Sequence, residues 1–228
     1  MHKILNIGHR GAKGHLAENT VESVEKALEL GVDGIEIDVH LCASGELVVF
    51  HDFTLDRMTN GTGEIGRKTL QELKNIKVSS KFQIPTLEEI LKVINKKCLL
   101  NIELKGRNTG IKASEIIKHY IEHYDWNYAH FIVSSFQKHE LETVFKTDKN
   151  IPLAVLTKAS VMEAIEFAKT IHATAIHPNF ALLTHDNVQL AQHQGFTVNT
   201  WTVNDNKTIE RMKSYRVNGI ISDYPDRV

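Results

Sequence analysis

Short β-branched runs alternating with helix-period segments along the whole chain, a near-constant unit length and a total of 228 residues together predict an α/β protein. Its fold class is a closed (β/α)8 TIM barrel. The strand candidates are Ile4 to Ile7, Gly34 to His40, Leu99 to Lys105, Phe131 to Ser134, Pro152 to Leu156, Thr174 to His177, Phe196 to Trp201 and Gly219 to Ser222. From Phe131, steps of 22 residues land on Leu153, Ala175, Thr197 and Gly219, each inside or at the start of a strand candidate. The residues do not repeat, so the period comes from structure. An open doubly wound sheet is the rival, but no Gly-x-Gly-x-x-Gly turn follows the first strand.

The first strand ends in Gly8-His9-Arg10-Gly11, and Val21, Val24, Ala27 and Leu28 then follow one helix face. Asn19, with Glu22 three residues on, reads as a capping pair for that helix. The second strand, Ile35-Glu36-Ile37-Asp38-Val39-His40, leads into an unusually long connection, since the next strand begins only at Leu99. An insertion over about 42–85 is expected. It would hold a turn and strand at Gly45 to Asp52, a flexible loop at Thr59 to Gly63 and a short helix at Thr69 to Asn75. Because it follows a barrel strand, it should sit over the mouth as a partial lid on a single domain spanning 1–228. Thr86 with Glu89 is a capping box opening a helix whose apolar face is Leu87, Ile90, Leu91 and Ile94.

Composition narrows the function. With 27 basic and 28 acidic residues and no block of one sign, nothing favours a nucleic-acid partner or an anionic membrane surface. No apolar run spans a bilayer, and the apolar stretch after Met1-His2-Lys3 is too short for a secretory signal, so a cytoplasmic protein without a stable membrane anchor is expected. Cys42 and Cys98 form no zinc or disulfide pattern and read as small buried hydrophobes. His119, His123, His139 and His193 fall on helix candidates as solvent-facing residues.

The chemistry lies at the strand ends. Alternation sends Ile35, Ile37 and Val39 to one face and Glu36, Asp38 and His40 to the other; Leu100, Ile102 and Leu104 likewise oppose Asn101, Glu103 and Lys105. In a barrel the apolar sets pack under helices, so the carboxylates converge in the lumen, where they would repel one another. A divalent cation on Glu36, Asp38 and Glu103 resolves the repulsion, and oxygen-only ligation favours magnesium or calcium over zinc, with manganese as a further candidate. The plainer reading is a lumen ion network with Arg10 and Lys105. His9, Arg10 and His51 add two imidazoles and a fixed cation, an inventory for phosphoryl chemistry in which one His removes a proton and the other supplies one. Trp201 either walls the mouth or fills the barrel, and Asp223-Tyr224-Pro225 reads as a turn.

Taken in order, His9-Arg10-Gly11, Glu18-Asn19-Thr20, Glu36-Ile37-Asp38, His51-Asp52, Glu103-Leu104-Lys105, Ser135-Phe136, Trp201-Thr202-Val203-Asn204 and Ser222-Asp223-Tyr224-Pro225 closely resemble the glycerophosphodiester phosphodiesterase family. The resemblance implies a TIM barrel of the phosphatidylinositol-phospholipase-like phosphodiesterase type. It further implies metal-dependent hydrolysis of glycerophosphodiesters to sn-glycerol 3-phosphate and an alcohol, and a place in lipid and glycerol metabolism. By the same resemblance His9 and His51 are the acid/base pair and Glu36, Asp38 and Glu103 the metal ligands. Arg10 and Lys105 contact phosphate, Asn19 and Trp201 join the substrate site, and the free glycerol hydroxyl attacks phosphorus to give a cyclic phosphate that water opens. Two rivals are a lysophospholipase D, which the polar insertion disfavours, and a non-catalytic barrel that binds glycerol phosphates.

Overall fold

The computed structural model describes residues 3–228; Met1 and His2, the start of the segment read for a signal, lie outside the described residues. In chain order, β1 (Leu5–His9), α1 (Val21–Glu29) and β2 (Gly34–Leu41) are followed by the insertion, with β3 (Leu47–Val49), α2 (Leu70–Lys74), β4 (Lys77–Val78) and β5 (Phe82–Gln83). The chain continues through α3 (Leu87–Ile94), β6 (Leu99–Leu104), α4 (Thr109–His123), β7 (Phe131–Ser135), α5 (Lys138–Thr147), β8 (Leu153–Thr157) and α6 (Val161–Thr170). It ends with β9 (Ala175–Pro178), α7 (His185–His193), β10 (Thr197–Thr200), α8 (Asn206–Ser214) and β11 (Gly219–Ser222). β1, β2 and β6 to β11 pair in parallel, and β1 pairs with both β2 and β11, which closes an eight-stranded TIM barrel. Each expected strand is present. β3 adds to β2 in antiparallel fashion above the ring.

Period-2 patterning explains the layers. Ile35, Ile37, Val39, Leu100 and Ile102 are fully buried in one continuous core with Val24, Ala27, Leu87, Ile90, Leu91 and Ile94 from the helices outside. Ile132, Ala154 and Ala175 form a small separate cluster, as inward-facing residues of neighbouring strands. The capping box at Thr86 and Glu89 forms as read. At α1 the expectation is corrected: Asn19 has φ +59°, and Thr20 is the N-cap, its hydroxyl accepting from Ser23 N–H at 3.1 Å. α4 has no cap of its own; Glu140 on α5 accepts from Asn108 N–H at 2.6 Å and Gly110 N–H at 2.8 Å, so one helix caps its neighbour.

The insertion carries its own small core, including Cys42, Val48, Phe50, Leu55, Leu73 and Phe82. This core fixes the segment that presents His51 and Asp52. The β4–β5 hairpin was not read from the sequence, because two-residue strands have no period to detect. Both cysteines are buried and unpaired, and His119, His123, His139 and His193 are exposed on helices. Among the described residues no helix is long and apolar enough to cross a membrane.

Candidate active site

Strand register assembles the acidic centre. Glu36 and Asp38 lie two apart on β2 and share its inward face; Glu103 on β6 is in register with Asp38, and His9 on β1 with Glu36. Glu36, Asp38 and Glu103 each offer an oxygen, all within 4.8 Å of one another. Burial and then repulsion from Asp38 and Glu103 push the Glu36 carboxyl well above its usual range; burial and Asp38 push Glu103 up to about 7. Glu36 Oε1 is buried without a hydrogen-bond partner.

The turn after β1 is built for close approach. Arg10 sits at φ +51° and Gly11 at φ +82°; a Cβ on Gly11 would come within 2.4 Å of Ser23 Oγ, so only glycine fits. This geometry aims the Arg10 N–H at Glu36 Oε2, 3.0 Å away. The Arg10 side chain then donates to Glu18 Oε1 at 2.8 Å and lies 3.1 Å from Asp38 Oδ2. Burial works to lower its pKa, but Asp38, Glu18 and Glu36 outweigh it and the net shift is upward. Lys105 lies 3.0 Å from Glu103 and 3.9 Å from Asp38; burial opposes its charge, yet the two carboxylates raise it.

Each imidazole is anchored at Nδ1 by a carboxylate. His9 Nδ1–H donates to Asp223 at 2.6 Å, and Asn204 donates to the other oxygen of Asp223 at 2.9 Å. His51 Nδ1–H donates to Asp52 at 2.6 Å. Ionised carboxylates only accept, so both rings keep Nε2 for other partners. His9 Nε2 lies 3.9 Å from Glu36, and His51 Nε2 lies 3.3 Å from Lys105 Nζ. Burial lowers the pKa of both rings, and the Asp223 and Asp52 hydrogen bonds pull the other way. Arg57 forks onto both oxygens of Asp52 and donates to Glu18 Oε1 at 2.7 Å, which joins the insertion to Arg10. Asp52 is held down to about 2, first by Arg57; for Glu18, burial pushes upward but Arg57 and Arg10 prevail, leaving it at about 2.

Part of this network lines one pocket. His9, Arg10, Glu36, His51, Glu103 and Lys105 form one side; Phe136, Leu156, Trp201 and Ile221 form the other. Trp201 walls the pocket, its Nε1–H donating to the His177 carbonyl at 2.7 Å. Asn19 is the expected substrate residue that the structure puts elsewhere. It is buried behind Asp38, donating to Oδ2 at 2.9 Å and accepting from the Asp38 N–H at 3.2 Å, and it does not line the pocket. Two site residues carry no signal in the local sequence. Asp223 reads as a turn, yet barrel closure pairs Gly8 with Ser222 and so sets His9 beside Asp223; Arg57 lies in the insertion, where no periodicity marks it.

A closed parallel barrel with carboxylates, cations and anchored imidazoles at the C-terminal ends of its strands defines an enzyme class, one suited to charged phosphate esters. The comparisons with known proteins specify it. The glycerophosphoryl diester phosphodiesterase family model matches residues 9–227. A glycerophosphodiester phosphodiesterase of Caldanaerobacter subterraneus is 36% identical, the match covering 98% of this chain and 96% of the relative; one from Bacillus altitudinis is 38% identical, covering 96% and 94%. Among solved structures, an Oleispira antarctica phosphodiesterase in complex with the product sn-glycerol-3-phosphate superposes with a TM-score of 0.88 at 27% identity, covering 97% of this chain and 93% of that one. A glycerophosphodiester phosphodiesterase from Thermotoga maritima gives 0.82 at 26% identity, covering 99% and 97%. The chain belongs to the glycerophosphoryl diester phosphodiesterase family and is an enzyme of that class.

Proposed function

We propose that this chain, acting as one domain over residues 1–228 in the cytoplasm, hydrolyses soluble glycerophosphodiesters to sn-glycerol 3-phosphate and an alcohol. His9 and His51 exchange protons, Arg10 and Lys105 hold the phosphate, and Trp201 walls the carbon skeleton. The observation that carries the reading is the pair of imidazoles, each tied by a carboxylate at Nδ1, facing one pocket with a buried acid triad.

The donor set fits a hard divalent cation. It is all oxygen, mutually within 4.8 Å, and Glu36 Oε1 is buried without a partner. Glu36, Asp38 and Glu103 would hold one magnesium or calcium ion, with manganese as an alternative; such an ion supplies charge neutralisation at the phosphoryl oxygens. The chain's own groups do the proton work. One imidazole Nε2 accepts the proton of the glycerol hydroxyl that attacks phosphorus, and the other, protonated, gives a proton to the oxygen of the departing alcohol; water then opens the cyclic phosphate, giving its proton to the second ring while the first returns its own to the glycerol oxygen. Asp223 and Asp52 keep the rings in the tautomers this requires, and the Arg10 fork and Lys105 ammonium neutralise the phosphate without reorganising.

The test is release of glycerol 3-phosphate from glycerophosphocholine and glycerophosphoethanolamine by chelator-treated protein, with magnesium, calcium or manganese restored singly. Metal-restored release supports the reading, as does loss of about 10²–10⁴-fold in turnover for His9→Ala and His51→Ala. Near-normal rates in both variants would remove the acid/base assignment, and tight binding without turnover would leave a binding barrel. Faster turnover of lysophosphatidylcholine than of glycerophosphocholine would move the assignment to a lysophospholipase D.

A further inference from the structure

Two organic arms leave the phosphorus of a glycerophosphodiester, and the pocket offers two environments for them. Leu156 and Ile221 lie at its buried end, while Phe136 is the most exposed apolar residue of its wall, at 39%. An arm that leaves by the exposed side of the pocket passes Phe136. What covers that ring decides what such an arm meets.

Phe136 is gripped by cations. Trp201 packs edge-on against it with centroids 5.5 Å apart, Lys105 Nζ stands 5.9 Å from its centroid, and so does Lys158 Nζ. Lys105 belongs to the acidic centre, where Glu103 and Asp38 balance it. Lys158 follows Thr157 at the end of β8, is exposed, and among the described residues has no carboxylate within 4.0 Å of its ammonium. At this part of the rim it is an unbalanced positive charge on an aromatic face that would otherwise attract a quaternary ammonium.

We propose that the variable alcohol takes the exposed side of the pocket and that Lys158 is a specificity-determining residue there, selecting against cationic alcohol groups and for hydroxyl-rich or anionic ones. This rests on the phosphodiesterase reading above. A choline headgroup leaving past Phe136 must displace the Lys158 ammonium from the ring and meets its like charge as well. A polyol instead finds three N–H donors, and an anionic group finds a counter-charge.

The experiment compares kcat/KM for glycerophosphoglycerol and glycerophosphocholine in the wild-type holoenzyme and in Lys158→Gln, Lys158→Glu and Lys158→Arg. The wild type is expected to prefer glycerophosphoglycerol. Lys158→Gln should shift the ratio toward choline by about fivefold, the scale of one exposed cation–π contact, through KM rather than kcat. Lys158→Glu should shift it further, and Lys158→Arg should keep the wild-type preference. A ratio unchanged within about twofold in both Lys158→Gln and Lys158→Glu, with both esters turned over, would overturn the proposal alone. Absence of turnover of both esters by the wild type would overturn the phosphodiesterase reading and this one with it.

Discussion

Replacing Asp223 by Asn should harm the enzyme more than replacing it by Ala. Asn204 Oδ1 is committed, since it accepts from the Asp223 N–H at 2.9 Å and from Ser222 Oγ at 3.2 Å. Its Nδ2 therefore has to donate to the second side-chain atom of residue 223, as it does now at 2.9 Å. In Asp223→Asn that atom must be the carbonyl oxygen, which turns the new amide nitrogen toward His9 Nδ1. Two donors cannot face each other, so His9 takes the tautomer protonated at Nε2, and the atom aimed at the pocket is no longer a base. Proton transfer by one positioned group contributes about 10²–10⁴-fold, and Asp223→Asn should lose turnover on that scale. Asp223→Ala leaves Nδ1 free to keep its hydrogen toward water and should lose less. The assay is glycerol 3-phosphate release under saturating ester and metal, with thermal unfolding of each variant to confirm an intact barrel. An asparagine variant within about threefold of wild type, or one faster than the alanine variant, would refute the tautomer argument.

Metal binding should release protons, because Glu36 and Glu103 are pushed up by burial and by repulsion from Asp38, Glu103 to about 7; affinity should rise with pH and fall below about 7, read by calorimetry in buffers of different ionisation enthalpy. Arg57→Leu should lower kcat by roughly tenfold or more by freeing Asp52 and Glu18 together, and Arg57→Lys should restore only part, since an ammonium cannot fork onto both Asp52 oxygens; steady-state kinetics of the two variants checks this. His177 is fully buried, and burial holds its imidazole down to about 3 against 6.5 unfolded. A depressed imidazole stabilises fully above 6.5 and loses that contribution as pH falls toward 3, at about 1.4 kcal/mol per pH unit. Between pH 7.5 and pH 5 this amounts to about 2 kcal/mol, which His177→Gln should remove from the acid slope of urea-unfolding curves.

What could be read from the sequence follows from which interactions are local. Glu36, Asp38 and Glu103 were legible because strand side chains alternate: once Ile35, Ile37 and Val39 pack outward, the acids have one direction left. The helix facing of Leu87, Ile90, Leu91 and Ile94 was legible for the same kind of reason. Asp223 was not, since its meaning comes from a ring 214 residues away that only barrel closure brings near. Arg57 reaches Glu18 across 39 positions from a loop without periodicity, and Glu140 caps a helix that begins 31 residues before it. Asn19 shows the opposite failure. A local cap pattern was present, but tertiary pairing with Asp38 claimed the side chain and Thr20 took the cap.

The charge inventory of the connected network ties these pieces together. Glu18, Glu36, Asp38, Asp52, Glu103 and Asp223 contribute six carboxylates, against the permanent cations Arg10, Lys13, Arg57 and Lys105. With both imidazoles neutral, the network lacks two positive charges, and buried carboxylates answer such a deficit by rising in pKa, as Glu36 and Glu103 do. One divalent cation would restore balance. A phosphodiester then brings a single negative charge into the pocket, and protonating one of the two imidazoles neutralises it. That state has one ring as acid and the other as base, the arrangement the proton transfers need. Substrate charge would thus favour the active protonation state of the enzyme, so the alkaline limb of the kcat profile should lie at higher pH than that of kcat/KM.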